Sequence, residues 1–243
     1  MAKNSMVLYG KNSVLERLKN NPQTIKKILL QTDFKEDKIK KLIEQNNIPF
    51  EYLAFKELDK IKQAKKFQGI IARVNKFEYT PYKNLLSNSF SKNQSIIFLD
   101  KINDPQNLGV IIRTAACFGG FSLVISKHGA CEVNETVLHV ASGGENHISI
   151  SMVSNLSQAV RKAKDQGYWI LGAVVDDQAQ DLGQISLPFP AALVLGSEGE
   201  GIHYGLLKHI DIKARIPMRG ADLSFNVNIA GAIFCHEINR QRS

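Results

Sequence analysis

Leu193-Val194-Leu195-Gly196-Ser197-Glu198-Gly199-Glu200-Gly201-Ile202 is an apolar run that breaks into three closely spaced glycines. An unbroken apolar run bounded in this way reads as a strand buried on both faces, as in a parallel sheet. Glycines placed directly after such a strand permit positive φ and let a ligand approach the backbone. Ligands of parallel α/β sheets sit beyond the carboxyl ends of the strands. Two further segments repeat the pattern. Asp104-Pro105-Gln106-Asn107-Leu108-Gly109-Val110-Ile111-Ile112-Arg113-Thr114-Ala115 follows the apolar run Ile96-Ile97-Phe98-Leu99 and opens a helix. Ile216-Pro217-Met218-Arg219-Gly220 precedes Leu223-Ser224-Phe225-Asn226-Val227-Asn228, where the last helix begins. Together the three imply one polar site assembled at strand ends.

Outward from these segments, residues 95–243 alternate strand and helix patterns, which implies a mostly parallel sheet. Strands are expected at Ile96–Leu99, Phe121–Ser126, Ile148–Val153, Trp169–Val175 and Ala191–Leu195. Helices are expected from Leu108 to Phe118, from Glu135 to Ala141, from an Asn155 cap to Gln166, and from Ser224 to Arg240. Residues 1–75 read as a smaller α/β unit. It has a helix through Val14 and Leu18, a strand at Ile25–Gln31 and a lysine-rich helix with Ile39, Leu42 and Ile43 on one face. A strand at Ile48–Leu53, a basic helix from Phe55 to Lys66 and a strand at Gly69–Val74 complete it. The polar, turn-rich residues 76–94 read as a linker that holds at most a short helix.

Of the chain's 243 residues, 44% are hydrophobic, enough for a sizeable core. No apolar run approaches a membrane span, and Met1–Tyr9 lacks a signal-peptide pattern, so a cytoplasmic location is expected. Residues 1–93 hold 19 Lys and Arg against 9 Asp and Glu, while residues 94–243 hold 12 against 14. The whole basic surplus therefore lies in the first part, which implies a polyanion partner for that module. Cys117, Cys131 and Cys235 form no Cys-x-x-Cys pair and are expected to be small buried core residues. The six histidines show no metal-binding spacing, and no metal is expected.

The glycine-rich segment is not a serine-hydrolase elbow, because Leu195 stands where Gly-x-Ser-x-Gly needs its first glycine. It is not a phosphate-binding loop, since no Gly-Lys-Ser/Thr follows. Gly199-Glu200-Gly201 with Gly205 echoes a dinucleotide fingerprint, but glutamates are poor neighbours for a pyrophosphate. Asn107 can donate and accept hydrogen bonds. Arg113, in the first turns of its expected helix, opposes the helix dipole and is best explained by a facing phosphate or carboxylate. Ser224, Asn226 and Asn228 offer more polar groups than one helix cap requires.

At these residues the chain resembles the SpoU/TrmH family of RNA ribose 2′-O-methyltransferases. The resemblance rests on Asn107 through Arg113, on Leu195 through Gly201, and on Ile216-Pro217-Met218 with Ser224-Phe225-Asn226-Val227. It extends to Ala141-Ser142-Gly143-Gly144, to Ile238 through Arg242, and to Tyr9 through Glu16 and Gln68 through Val74 in the first unit, which looks like the family's substrate-binding domain. Two departures stand out. Phe225 and Asn228 fall where the family usually has leucine and serine, and Phe67 replaces a common histidine.

The resemblance implies an α/β-knot (SPOUT) methyltransferase domain at 95–243 behind a small α/β substrate-binding domain, and a homodimer. It implies S-adenosylmethionine held at Leu195, Gly196, Ile216, Met218 and Phe225, with Asn107, Arg113, Glu198, Ser224 and Asn226 as catalytic residues. Length and domain order are most similar to family members that methylate a guanosine of 23S rRNA. A transfer-RNA ribose methyltransferase and a non-catalytic RNA-binding assembly factor are the alternatives. Lys35, Lys38, Lys40, Lys41, Lys62, Lys65 and Lys66 would then meet RNA phosphates.

Overall fold

The chain runs β1 (Ser5–Tyr9), α1 (Lys11–Asn20), β2 (Ile25–Gln31), α2 (Asp37–Gln45), β3 (Phe50–Leu53), α3 (Phe55–Ile61), β4 (Ile70–Asn75) and α4 (Tyr82–Ser91). It continues with β5 (Ser95–Leu99), α5 (Pro105–Phe118), β6 (Phe121–Ser126), α6 (Glu135–Ala141), β7 (Ile150–Val153), α7 (Leu156–Asp165), β8 (Trp169–Ala173) and β9 (Gln180–Asp181). β10 (Ala191–Leu195), α8 (Tyr204–Leu207), β11 (Ile212–Arg215) and α9 (Val227–Gln241) complete it. This computed structural model describes residues 5–61, 67–197, 199–220 and 223–242. Glu198, Lys62, Lys65 and Lys66, all named above, lie outside the described residues.

Two units form. The first comprises residues 1–78 and 133–147, the second residues 79–132 and 148–243. In the first, four strands pair in the order β1-β4-β2-β3. Only β2 and β3 run parallel, and α2 makes the crossover that a parallel pair requires. Ile39 and Ile43, four residues apart on α2, are both buried, as one helix face demands. Tyr9, Leu29 and Ile71 pack with Leu58 of α3 and with Phe67 in a separate cluster. Phe67 thus serves as core, with its ring 5.3 Å from that of Phe55. Each such side chain contributes roughly 1.5–3 kcal/mol on burial.

Residues 133–147, expected within the second domain, pack with the first unit. Five contacts explain why. The Val7 amide donates to Glu135 Oε1 at 2.8 Å. Tyr9 and His139 stack with ring centroids 4.1 Å apart. Asn21 Nδ2 donates to Asn146 Oδ1 at 3.0 Å, and His147 Nε2 lies 3.0 Å from Glu16 Oε2. Deepest is an ion pair: Arg17 Nη2 donates to Glu145 Oε1 at 2.9 Å, and both residues are buried. Gly143 has φ +94, and a Cβ there would sit 2.4 Å from Glu16 Cβ, so this turn admits only glycine.

The second unit is a seven-stranded sheet in the order β7-β6-β5-β10-β8-β11-β9. Every pairing in it is parallel. All five residues of β5 and of β10 are buried, as expected for central strands covered on both faces. The chain leaves β5 towards β6 and β7, and the later strands fill in on the other side. The β5–β10 boundary is thus a topological switch point, where α/β sheets open a crevice.

The short helix allowed within residues 76–94 is α4 at 82–91, whose Leu85 and Leu86 enter the core beside Phe98 and Val160. Three other expectations are corrected. α5 begins at Pro105, with the Asp104 carboxylate capping the Gln106 amide at 2.8 Å. Arg113 therefore lies mid-helix, and the dipole argument for it lapses. The last helix begins at Val227, so Ser224 precedes it and Asn226 is its cap. Of the cysteines only Cys235 is buried, and that burial pushes its thiol up to about 12, whereas Cys117 is exposed and Cys131 half-buried. β1, β9, β11 and α8 were not anticipated, being short or weakly patterned.

Removing one partner of a buried ion pair strands a charge. Arg17→Ala and Glu145→Ala should each cost about 3–5 kcal/mol of stability, measured by urea unfolding. A loss under about 1 kcal/mol in both would show that the pair does not fasten residues 133–147.

Candidate active site

The carboxyl ends of β8, β10 and β11 open on one cavity of about 1250 Å³. Besides residues 173–178 at the end of β8, three chain segments shape it. The first leaves β10. Ser197 and Gly201 exchange backbone hydrogen bonds of 3.2 and 2.9 Å, closing Gly196–Gly201 into a tight loop. A Cβ on Gly196 would lie 2.1 Å from the Gly201 carbonyl carbon, so residue 196 must be glycine for the loop to close. The second segment, Ile216 to Gly220, leaves β11. The third, Leu223 to Phe225, leads into α9, whose Val227, Ala230 and Phe234 supply apolar wall.

All five residues expected to hold a cofactor, Leu195, Gly196, Ile216, Met218 and Phe225, line this cavity. The polar set divides. Ser224 lines the cavity, while Asn107, Arg113 and Asn226 do not. Two of those are joined beside it. Asn226 Oδ1 accepts from the Asn228 amide at 2.9 Å, and Asn228 Nδ2 donates to Asn107 Oδ1 at 2.6 Å. Asn107 is only 7% exposed, whereas Arg113, two turns further along α5, is exposed. Asn228, the departure from the family's usual serine, is thus the link between α9 and α5. A longer amide side chain at that position was visible in sequence, but its partner 121 residues away was not.

Several groups around the cavity escaped sequence reading. Arg215 Nε donates to Asp181 Oδ1 at 2.8 Å and its Nη1 to Asp177 Oδ1 at 2.9 Å, and the Asp181 bond foremost raises the guanidinium pKa. Lys213 Nζ lies 3.6 Å from Asp176 Oδ2. On the glycine loop, Lys101 Nζ donates to Glu200 Oε2 at 2.7 Å and holds that carboxyl below its ordinary range. The cavity therefore combines an apolar wall, exposed loop backbone and a rim of paired charges. That mixture suits a ligand with a flat heterocycle, a hydroxylated sugar and a charged tail, the groups of S-adenosylmethionine. Among the described residues no cluster of His, Cys, Asp or Glu could hold a metal ion.

Comparison with known proteins divides the chain into two consecutive stretches. Residues 94–236 match the SpoU rRNA Methylase family, and residues 7–80 match RNA 2′-O ribose methyltransferase substrate binding. An uncharacterised tRNA/rRNA methyltransferase of Synechocystis is 35% identical over 97% of this chain, which spans 62% of that relative's length. The 23S rRNA (guanosine-2′-O-)-methyltransferase RlmB of Nitrosomonas europaea is 31% identical over 98% of this chain and 93% of its own. In fold, the chain is similar to the AdoMet-bound rRNA methyltransferase of Sinorhizobium meliloti, with a TM-score of 0.81 and 21% identity over 97% of this chain and 87% of that one. The chain belongs to the SpoU rRNA Methylase family.

Proposed function

We propose that this protein transfers a methyl group from S-adenosylmethionine to a ribose 2′-hydroxyl of RNA, with a guanosine of 23S rRNA as its target. The observation that carries this reading is the cavity at the strand ends, which gathers all five expected cofactor residues in a member of this family. The target follows the Nitrosomonas relative's substrate and the basic surplus of residues 1–93. S-adenosylmethionine supplies an electrophilic methyl group.

The remaining work falls to the chain. Leu195, Gly196, Ile216 and Met218 hold the cofactor through loop backbone, and Phe225 adds backbone and ring to the wall. Holding two reactants in line contributes on the order of 7–11 kcal/mol at best. Arg113 acts as an electrostatic anchor and not as a base. It would bridge the 2′-oxygen and the adjacent phosphate and stabilise alkoxide charge as the hydroxyl proton passes to water. Asn107 and Asn226, joined through Asn228, orient the ribose and Arg113, with Ser224 between them and the cofactor. Glu198 belongs to this set by its place in the motif.

A homodimer and an α/β knot are part of the proposal. Tyr204, Leu223, Phe225 and Ile229 are exposed apolar side chains of the second unit that a second copy would cover. The insertion of β10 between β5 and β8 accords with a chain that re-enters its own sheet. No helix among the described residues is long and apolar enough to cross a membrane, in keeping with a cytoplasmic site of action.

With labelled S-adenosylmethionine and unmodified 23S rRNA, Arg113→Ala should lower kcat at least about 100-fold, with cofactor affinity within about threefold by calorimetry. Arg113→Lys should not restore it, because an ammonium lacks the bidentate fork. Full activity in the alanine variant would remove Arg113 from the mechanism. Gly196→Ala should weaken cofactor binding about tenfold or more, by overpacking the loop. Unchanged affinity there would place the cofactor elsewhere. RNA affinity should fall at least about tenfold between about 50 and 200 mM salt; a flat salt response would rule out phosphate contacts as the grip.

A further inference from the structure

β5 ends in Leu99, and the two residues that follow hold the glycine loop from behind. Asp100 is 6% exposed, although nothing in the chemistry above uses a carboxylate there. Its amide donates to the Leu195 carbonyl at 2.9 Å, fixing the end of β10 just before Gly196. Its Oδ2 accepts from the His203 amide at 2.7 Å, fixing the chain just after Gly201 and Ile202. One residue therefore grips both ends of the Gly196–Gly201 loop. Lys101, with φ +54, turns the chain away and reaches Glu200 with its ammonium. The exposed Lys101–Glu200 pair is a weak, salt-screened contact. The buried charge-assisted bond of Asp100 is the strong one.

A carboxylate costs far more to bury than a neutral residue, and that cost is met only when it is held by hydrogen bonds. An apolar side chain would fill the same volume at β5's end without that cost. Asp100 instead spends its position on a loop that is mostly exposed and closed internally by two backbone bonds. Three residues later the chain enters the segment leading to α5, which carries Asn107 and Arg113. The same turn thus supports the cofactor loop and starts the catalytic helix.

We propose that Asp100 is a positioning residue that sets the cofactor-binding conformation of the Gly196–Gly201 loop through the His203 amide. This rests on the reading that S-adenosylmethionine occupies the cavity. Without the clamp, the loop samples conformations that do not bind, and apparent affinity falls by the fraction that remains competent.

The test measures S-adenosylmethionine binding by calorimetry and steady-state methylation in the full-length protein. Asp100→Ala should weaken cofactor binding about tenfold or more and raise KM for the cofactor in proportion. KM for RNA, and kcat at saturating cofactor, should stay within about threefold. Asp100→Asn, whose carbonyl oxygen can still accept from His203, should recover most of the affinity. His203→Pro supplies an independent arm, because φ is −57° there, so proline fits that residue's own backbone while removing the amide donor and the side-chain cap of α8. It should reproduce the Asp100→Ala defect, while His203→Ala, which loses the cap alone, should bind more tightly than His203→Pro. Equal affinity in wild type, Asp100→Ala and His203→Pro would overturn the proposal. So would a general loss of kcat and of both KM values that Asp100→Asn did not rescue. If wild type itself fails to bind S-adenosylmethionine, the functional reading fails first.

Discussion

The parallel pairing of β10 between β5 and β8 is the constraint on which the second unit depends. Both central strands are buried along their whole length, so neither can turn its own backbone to solvent. Polar loop groups must gather beyond the carboxyl ends, and the switch in chain direction at β5–β10 leaves a crevice there. The segments that line the cavity come chiefly from the ends of β8, β10 and β11 and from the start of α9. Asn107 on α5 and Asn226 at the start of α9 come together because those two elements are neighbours, tied through Asn228.

The first unit solves a different problem. Its four-stranded sheet is small, and a small domain buries too little apolar surface to be generously stable. Residues 133–147 add a helix, a stacked Tyr9–His139 pair and a buried Arg17–Glu145 bond to it. This segment comes from the middle of the methyltransferase half of the sequence. The compact units are consequently not two consecutive stretches of chain, although the two family matches are, and a cut at the expected linker would separate Glu145 from its partner.

How far the site was legible follows from the kind of contact each residue makes. The loops that carry Leu195, Gly196, Ile216, Met218 and Phe225 were readable as strand-end clusters of glycine and proline, and the family resemblance singled out these five within them. Asn228 looked like a minor change of residue type, and its bond to Asn107 gives it a place in the polar set. Asp100 gave no signal at all, since an aspartate after a buried strand usually means a solvated turn. Arg113 was read through a helix start at Leu108, whereas α5 begins three residues earlier, so Arg113 lies mid-helix and the dipole argument for it does not apply.

The amino-acid sequence by itself determined what depends on near neighbours: strands and helices through periodicity, loop freedom through glycine, and the segregation of charge into the first 93 residues. Tertiary structure alone decided the partners of Arg17, Asp100 and Asn107, which lie 128, 103 and 121 residues away. The reason is physical. Hydrophobic patterning specifies which face of an element is buried, but any apolar face can satisfy it. A hydrogen bond between two distant side chains needs both placed to within a few tenths of an ångström, and only the assembled sheet order does that.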